Sequence, residues 1–275
     1  MKTVSVSTDS PNDLVDVQAM PDGRNIPLQR VGIKNIRYPI TVLDKAKGHQ
    51  QTVANINMYV NLPHHFKGTH MSRFVEVLNE YRGEINVKTF SRILIDMKER
   101  LEAQEAHLEV DFPYFIEKAA PITGSLGLME YGCGLHGTLT DTLDMVLAAR
   151  VPVTTVCPCS KEISIHGAHN QRGEVRVWLR FKGFIWLEDV IMEVEKSASS
   201  DVFSVLKRPD EKYVTEMAYE NPMFVEDVVR AVCERLSSMP QVTWFQVEAE
   251  NFESIHNHSA YASTTWSSDT RHWQL

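Results

Sequence analysis

The feature that most restricts how this chain can fold is a change of apolar period that recurs, in the same order, in each half. Lys34–Asp44 and Gln51–Pro63 alternate apolar and polar residues as half-buried strands do, and Lys45–Gln50 forms the turn of a long hairpin between them. The period then lengthens. Phe74, Val75 and Leu78 within Met71–Tyr81 fall at helical spacing, as do Phe90, Ile93, Leu94, Met97 and Leu101 after an Asn86 cap. His107–Lys118 and Leu128–Leu139 return to the strand pattern. The second half repeats this grammar, with strands at Asp144–Val156 and Gly173–Ile185, helical stretches at Leu187–Leu206 and Pro222–Ser238, and strands at Gln241–Phe252 and His258–Trp266. In the last helix Pro222 suits the first turn, and Val225, Val228, Val229, Val232 and Leu236 form one apolar stripe. Two copies of strand–strand–helix–helix–strand–strand predict an α+β duplication, antiparallel sheets with helices on one face. The expected divisions are an N-terminal arm over 1–30, a first unit over 31–142 and a second over 143–275. The arm is polar and acidic and reads as flexible, and the closing SSDTRHWQL reads as a loose tail.

Such a duplication needs a sizeable core, and 275 residues with 43% hydrophobic content supply one without disulfide or metal staples. Lys+Arg 28 against Asp+Glu 36 gives a net charge of −8, which argues against a nucleic-acid partner. It leaves room for a small phosphorylated ligand, which needs only a few local cations. No apolar run approaches the roughly 20 residues of a membrane helix. The first residues lack the apolar centre of a secretory signal, and four scattered cysteines make no disulfide framework. A cytoplasmic protein with reduced thiols and no membrane partner is the expectation.

Chemistry concentrates in Val153–Gly173. Cys157 and Cys159 flank Pro158, whose φ is fixed, and in an extended chain residues two apart point to one side. His166 and His169 follow. One CxC cannot build a closed four-cysteine zinc site, so a mixed Cys/His/carboxylate set with an open position for water fits better; two buried thiols beside a surface histidine loop is the alternative. Near the other end stand Glu253, His256 and His258, the two histidines again i, i+2, which on a strand face one side. Arg208–Val229 carries Glu211, Glu216, Glu220 and Glu226, mostly solvated acids by type. Glu226 stands beside the apolar stripe near a helix start, where a carboxylate either accepts two N–H donors from a flat heterocycle or complements the helix dipole. Leu62–Phe74 gathers His64, His65, Lys67, His70 and Arg73 around Gly68 just before a helix, surroundings that suit a phosphate or a solvated loop equally.

LPHHFKGTHMSRF, CPCSKEIS followed by GAHNQRG, NPMFVEDVVR and ESIHNHSAYA, in this order, resemble the prokaryotic GTP cyclohydrolase type IB family over nearly the whole chain from about residue 30. The resemblance implies the tunnelling fold, built of tandem ββααββ units that assemble into barrels, and a homo-oligomer, a tetramer, with sites at subunit boundaries. It implies that GTP and water give 7,8-dihydroneopterin triphosphate and formate, the first step of tetrahydrofolate synthesis. Carried over by position, Cys157, His169, Glu211 and His256 resemble the ligands of one divalent ion (manganese, iron or zinc), with Glu216 a close rival to Glu211. Cys159 resembles the non-ligand thiol beside the metal and Glu226 the anchor of the guanine edge. Metal-acidified water would attack C8 of guanine. His258, His166 and Cys159 are the candidates for proton transfer, and Lys67, His70, Arg73 and Arg172 for the triphosphate. Three rivals of the same fold remain at this point: a NADPH-dependent deazaguanine nitrile reductase, an archaeal-type cyclohydrolase giving a cyclic phosphate, and a non-catalytic purine- or pterin-binding module. The histidines that follow the CxC speak against the reductase, whose thioimide chemistry needs no metal ligands.

Overall fold

Antiparallel pairing runs without a break from the first strand to the last. In a computed structural model describing residues 16–18, 20–81 and 85–269, eight strands form one sheet in sequence order. They are β1 (Leu28–Asp44), β2 (Gly48–Leu62), β3 (Ala106–Ala119), β4 (Leu126–Leu139), β5 (Leu143–Val156), β6 (Asn170–Phe181), β7 (Val242–Asn251) and β8 (Ala260–Ser267). The two four-stranded halves meet edge to edge where β4 pairs β5, Cys133 opposite Ala149, so the expected pair of sheets is one continuous layer.

Helices cover one face. Over the first half lie α1 (Met71–Glu80) and α2 (Val87–Arg100); Asn86 directly precedes α2, and its carbonyl accepts the Phe90 N–H at 3.0 Å. In the second half, α3 (Pro158–Ile163) follows β5, and α4 (Leu187–Glu195), α5 (Arg208–Glu220) and α6 (Val225–Ser238) lie between β6 and β7. Phe74, Leu78, Phe90, Ile93, Leu94 and Met97 of the first helices bury against Ile56, Met58, Leu108 and Val110; Val190, Val194, Val228, Val232 and Leu236 bury against Val175, Val177, Phe245 and Val247. The stripe read on α6 is therefore core. The opposite face carries ion pairs: Arg30–Glu109 (3.2 Å), His136–Asp111 (2.9 Å), Arg180–Asp144 (2.6 Å) and Arg176–Glu174 (2.6 Å). Among the described residues no helix is long and apolar enough to cross a membrane.

Four local expectations change. β1 begins at Leu28, inside the stretch read as arm, and Met20 and Gln18 carbonyls accept the N–H groups of Lys67 and Gly68, both at 3.1 Å. The described part of the arm is thus paired to the chain, while residues 1–15 and the tail from 270 lie outside the described residues. The helix expected over 187–206 stops at Glu195, because Ser197, Ser199 and Ser200 are buried and their segment bonds to the end of β5: Val156 N–H donates to Ser199 Oγ at 3.1 Å, and Thr154 and Ser200 form a bridge. Pro222 precedes α6 instead of opening it, since Met223 N–H donates to the Val156 carbonyl at 3.0 Å and the helix begins only after that tie. The acidic stretch before it is a helix of its own, α5, weakly patterned because only Asp210 and Ala218 are buried.

Candidate functional site

Antiparallel order puts four connections at one end of the sheet: residues 45–47, 120–125, 157–169 and 252–259. The first two are turns. The last two hold the Cys and His motifs. Two helix ends come to the same place. The start of α6 is tied to Val156 through Met223, and Lys161 donates its ammonium to the Tyr219 carbonyl at the end of α5 while lying 4.4 Å over the Tyr219 ring.

Cys157 follows directly on β5. Its N–H donates to the His169 carbonyl at 3.1 Å, one step beyond the Val156–Asn170 pair, so strand register brings these two residues together across a loop. The extended chain expected through the CxC ends at Cys157. Cys157 is the N-cap of α3, with φ −69° and ψ 118°, and Pro158 and Cys159 already belong to the helix. Proline at N1 is pre-shaped for a helix start, and the cap is closed by Ser160, whose N–H donates to Cys157 Sγ at 3.4 Å and whose hydroxyl donates to the Cys157 carbonyl at 3.2 Å. Cys157 is half-buried and Cys159 exposed.

His169 is held from three sides. Its N–H donates to Ser160 Oγ at 3.1 Å, and its Nδ1 faces Gln171 Oε1 at 3.0 Å and Ser254 Oγ at 3.3 Å. Ser254 lies in the β7–β8 loop, which is tied to β6 by Phe252 N–H donating to the Arg172 carbonyl at 2.9 Å. His256 and His258 occupy this loop, not a strand, because β7 ends at Asn251 and β8 begins at Ala260. Their rings nevertheless stack, centroids 5.1 Å apart at 17°. Gly173 sits where a side chain would be crowded. A Cβ there would meet Asn251 Oδ1 at 2.7 Å and the Glu250 carbonyl at 3.1 Å, where β6 and β7 close under the site.

Glu226, exposed in the first turn of α6, lines a cavity of about 480 Å³ with Val229, Arg230, Ala262, Ser263 and Thr264, between α6 and the edge strand β8. This cavity adjoins the same sheet end. Glu211 stands at the start of α5, which is pinned to the β3–β4 turn through its neighbour Asp210. Asp210 accepts from Ile122 N–H (2.9 Å), Thr123 N–H (2.8 Å), Thr123 Oγ1 (2.7 Å) and Lys207 N–H (2.9 Å). Burial pushes its carboxyl pKa up, but these donors outweigh it and hold the group well below the ordinary carboxylate range. From Glu211 to Tyr219, where α5 meets the Cys157 loop, the helix rises about 12 Å. Glu216 is engaged by Lys212 at 2.6 Å. Among the described residues no three His, Cys, Asp or Glu side chains gather as a metal-holding group. This chain brings together Cys157 and His169, with the His256 loop beside them through Ser254, and leaves Glu211 at the far end of its helix.

The cations singled out for phosphate are divided. Lys67, His70 and Arg73 belong to the β2–α1 connection and α1, at the strand end opposite the Cys157 loop; Arg172, near the start of β6, lies at the other end and four strand spacings, about 19 Å, sideways from β2. Asp16 lies 3.0 Å from His70, and Arg73 donates to the Arg100 carbonyl at 2.9 Å, around a hollow of about 110 Å³. His166 is exposed in the α3–β6 loop beside Ile165, 91% exposed, and close to Ile163 at the end of α3, 83% exposed. Ser160, Gln171, Thr155 and Ser254 escaped the reading of the sequence. Ser160 alone carried a local signal, a hydroxyl three residues after an N-cap followed by proline.

A family model described as type I GTP cyclohydrolase folE2 matches residues 14–262. The chain is 62% identical over 250 residues to a GTP cyclohydrolase FolE2 of Syntrophus aciditrophicus, covering 90% of this chain and 98% of that one. It is 61% identical over 247 residues to that of Syntrophotalea carbinolica, covering 90% and 93%. Among solved structures, a highly active BTUO mutant matches at TM-score 0.52 and 9% identity, covering 88% of this chain and 99% of that one. At that identity the likeness speaks to the fold alone, and the fold is the tunnelling fold.

Proposed function

The chain belongs to the type I GTP cyclohydrolase folE2 family, and from that premise we propose how its residues act. It is a GTP cyclohydrolase I of type IB, serving folate biosynthesis: GTP and water give 7,8-dihydroneopterin triphosphate and formate. The family assignment sets aside the nitrile reductase, the cyclic-phosphate variant and the non-catalytic module.

The observation that carries the site is the pairing of Cys157 with His169 at the sheet end that also receives Glu226. A thiolate and an imidazole suit a borderline transition metal, and a histidine whose Nδ1 is already engaged leaves Nε2 as the ligating nitrogen, which fits the divalent ion the family implies. Cys157, His169, His256 and Glu211 would hold it, the set closing when copies of the chain assemble edge to edge into the expected tetramer. Open edges at β1 and β8 support that assembly. When bound, such an ion supplies Lewis acidity that makes water nucleophilic near neutral pH.

The chain's own residues then do the following. Glu226 accepts N–H donors of the guanine edge in the α6–β8 cavity and orients C8 toward the paired Cys157 and His169. Water adds at C8, the five-membered ring opens and a second hydration releases formate. Cys159, exposed beside Cys157, moves protons together with His258 or His166. Assembly places Lys67, His70 and Arg73 of one copy with Arg172 of another around the triphosphate. The test is incubation of purified protein with GTP and manganese. Formate release and pterin fluorescence after oxidation are expected. GTP left intact by fully metal-loaded protein would refute the reading.

A further inference from the structure

We propose that Gln171, clamped by Thr155, is a positioning residue that sets the tautomer of His169, a step that rests on His169 being a metal ligand. Gln171 is the second residue of β6 and 7% exposed; Thr155, opposite it in register on β5, is fully buried. Its carboxamide is used at both ends. Nε2 donates to Thr155 Oγ1 at 3.0 Å, and Oε1 faces His169 Nδ1 at 3.0 Å. A carbonyl oxygen only accepts, so the imidazole proton belongs on Nδ1 and the lone pair on Nε2. An unconstrained histidine side chain prefers the opposite tautomer, with the proton on Nε2 and no lone pair there. The Thr155–Gln171–His169 chain reverses that preference before any ion arrives.

In this arrangement the Thr155 hydroxyl accepts the amide N–H, which leaves Oε1 to face the histidine. The backbone of His169 is immobilised separately, by Ser160 Oγ on its N–H and Cys157 N–H on its carbonyl. Backbone placement and ring tautomer therefore have different owners, and removing Gln171 should alter the second without the first. Ser254 Oγ, at 3.3 Å from the same Nδ1, is a longer contact from the β7–β8 loop. A buried partner on the non-ligating nitrogen of a histidine typically changes metal affinity about 10–100-fold.

The experiment uses the full-length chain and Mn²⁺ as probe. Manganese affinity is measured by chelator competition, and the tautomer by nitrogen-15 NMR of histidine-labelled, metal-free protein, with His169→Asn to assign the signal. Gln171→Leu is expected to bind Mn²⁺ about 10–100-fold more weakly and to move the His169 proton toward Nε2. Gln171→Glu keeps an acceptor at Nδ1, and the Thr155 hydroxyl turns to donate, so affinity should stay within about threefold of wild type and the proton on Nδ1. Thermal melting confirms that each variant is folded. The proposal is overturned if folded Gln171→Leu keeps both affinity and tautomer, or if both variants lose affinity alike, which would mean a packing role only. Wild-type protein that binds no Mn²⁺, or His169→Ala that binds it normally, would instead remove the metal reading. The NMR result still judges what Gln171 does to the ring.

Discussion

At one end of the same sheet the two halves of this molecule do different things. The first half closes its hairpins with residues 45–47 and 120–125; the second closes the equivalent hairpins with residues 157–169 and 252–259. In the first half those connections reverse the chain and hold second-half helices, Lys45 N–H donating to Glu188 of α4 at 2.6 Å and the Ile122–Thr123 turn to Asp210 of α5. Gly48 takes φ +81°, Asp44 accepts from Ala46 N–H at 2.9 Å and Lys47 N–H at 2.7 Å, and the strands continue. In the second half the longer connections carry Cys157, Cys159, His166, His169, His256 and His258, and α5 and α6 end or start against them. One scaffold thus separates architecture from chemistry by loop length, and conserving strand register in both halves leaves loops free to differ.

Substitutions can break this contrast. Cys157→Ala or His169→Ala should abolish formate release and lower bound metal in elemental analysis; full activity in either would deny that the second-half loops hold the chemistry. Cys159→Ala should reduce kcat by about 10²–10⁴-fold with metal content retained if Cys159 is the proton carrier proposed above and not a ligand. Asp210→Ala should lower the melting temperature and activity together, because buried Asp210 is the pin joining α5 to the first-half turn at Ile122 and Thr123; an unchanged melting curve would show that α5 is held by something else. Gly48→Ala should cost about 1–2 kcal/mol through its positive φ, with open space around the new methyl and kcat unchanged.

The smallest expected effect tests the first half by pH. The Asp111 carboxylate beside His136 raises the histidine pKa above its usual value. A raised folded-state pKa contributes stability that is present below the unfolded value and lost as pH rises through the folded one. Asp111→Asn should therefore destabilise more at about pH 5.5 than at about pH 8.5, by denaturant melts at each. Equal destabilisation at both would mean that His136 and Asp111 do not communicate.

Much of this was legible from the residues in order. Strand and helix periods are local, so β2 through β6 and α1, α2 and α6 could be placed within a few residues, and ordered motifs pointed to the family. The misplacements have a common cause. The helix read past Glu195 ended because buried serines bond to β5, and α5 went unseen because its apolar stripe is nearly absent. At the CxC, proline starts a helix where alternation along the chain predicts an extended strand end.

Periodicity and motif spacing are properties of neighbours along the chain, so fold class and candidate chemistry could be read without coordinates. That Cys157 lies beside His169, that Ser254 reaches it from the β7–β8 loop, that Gln171 turns its oxygen to the ring, and that Glu211 stays at the far end of α5 are consequences of register between distant strands. Those contacts depend on the whole sheet closing at once, and no window of the sequence contains them.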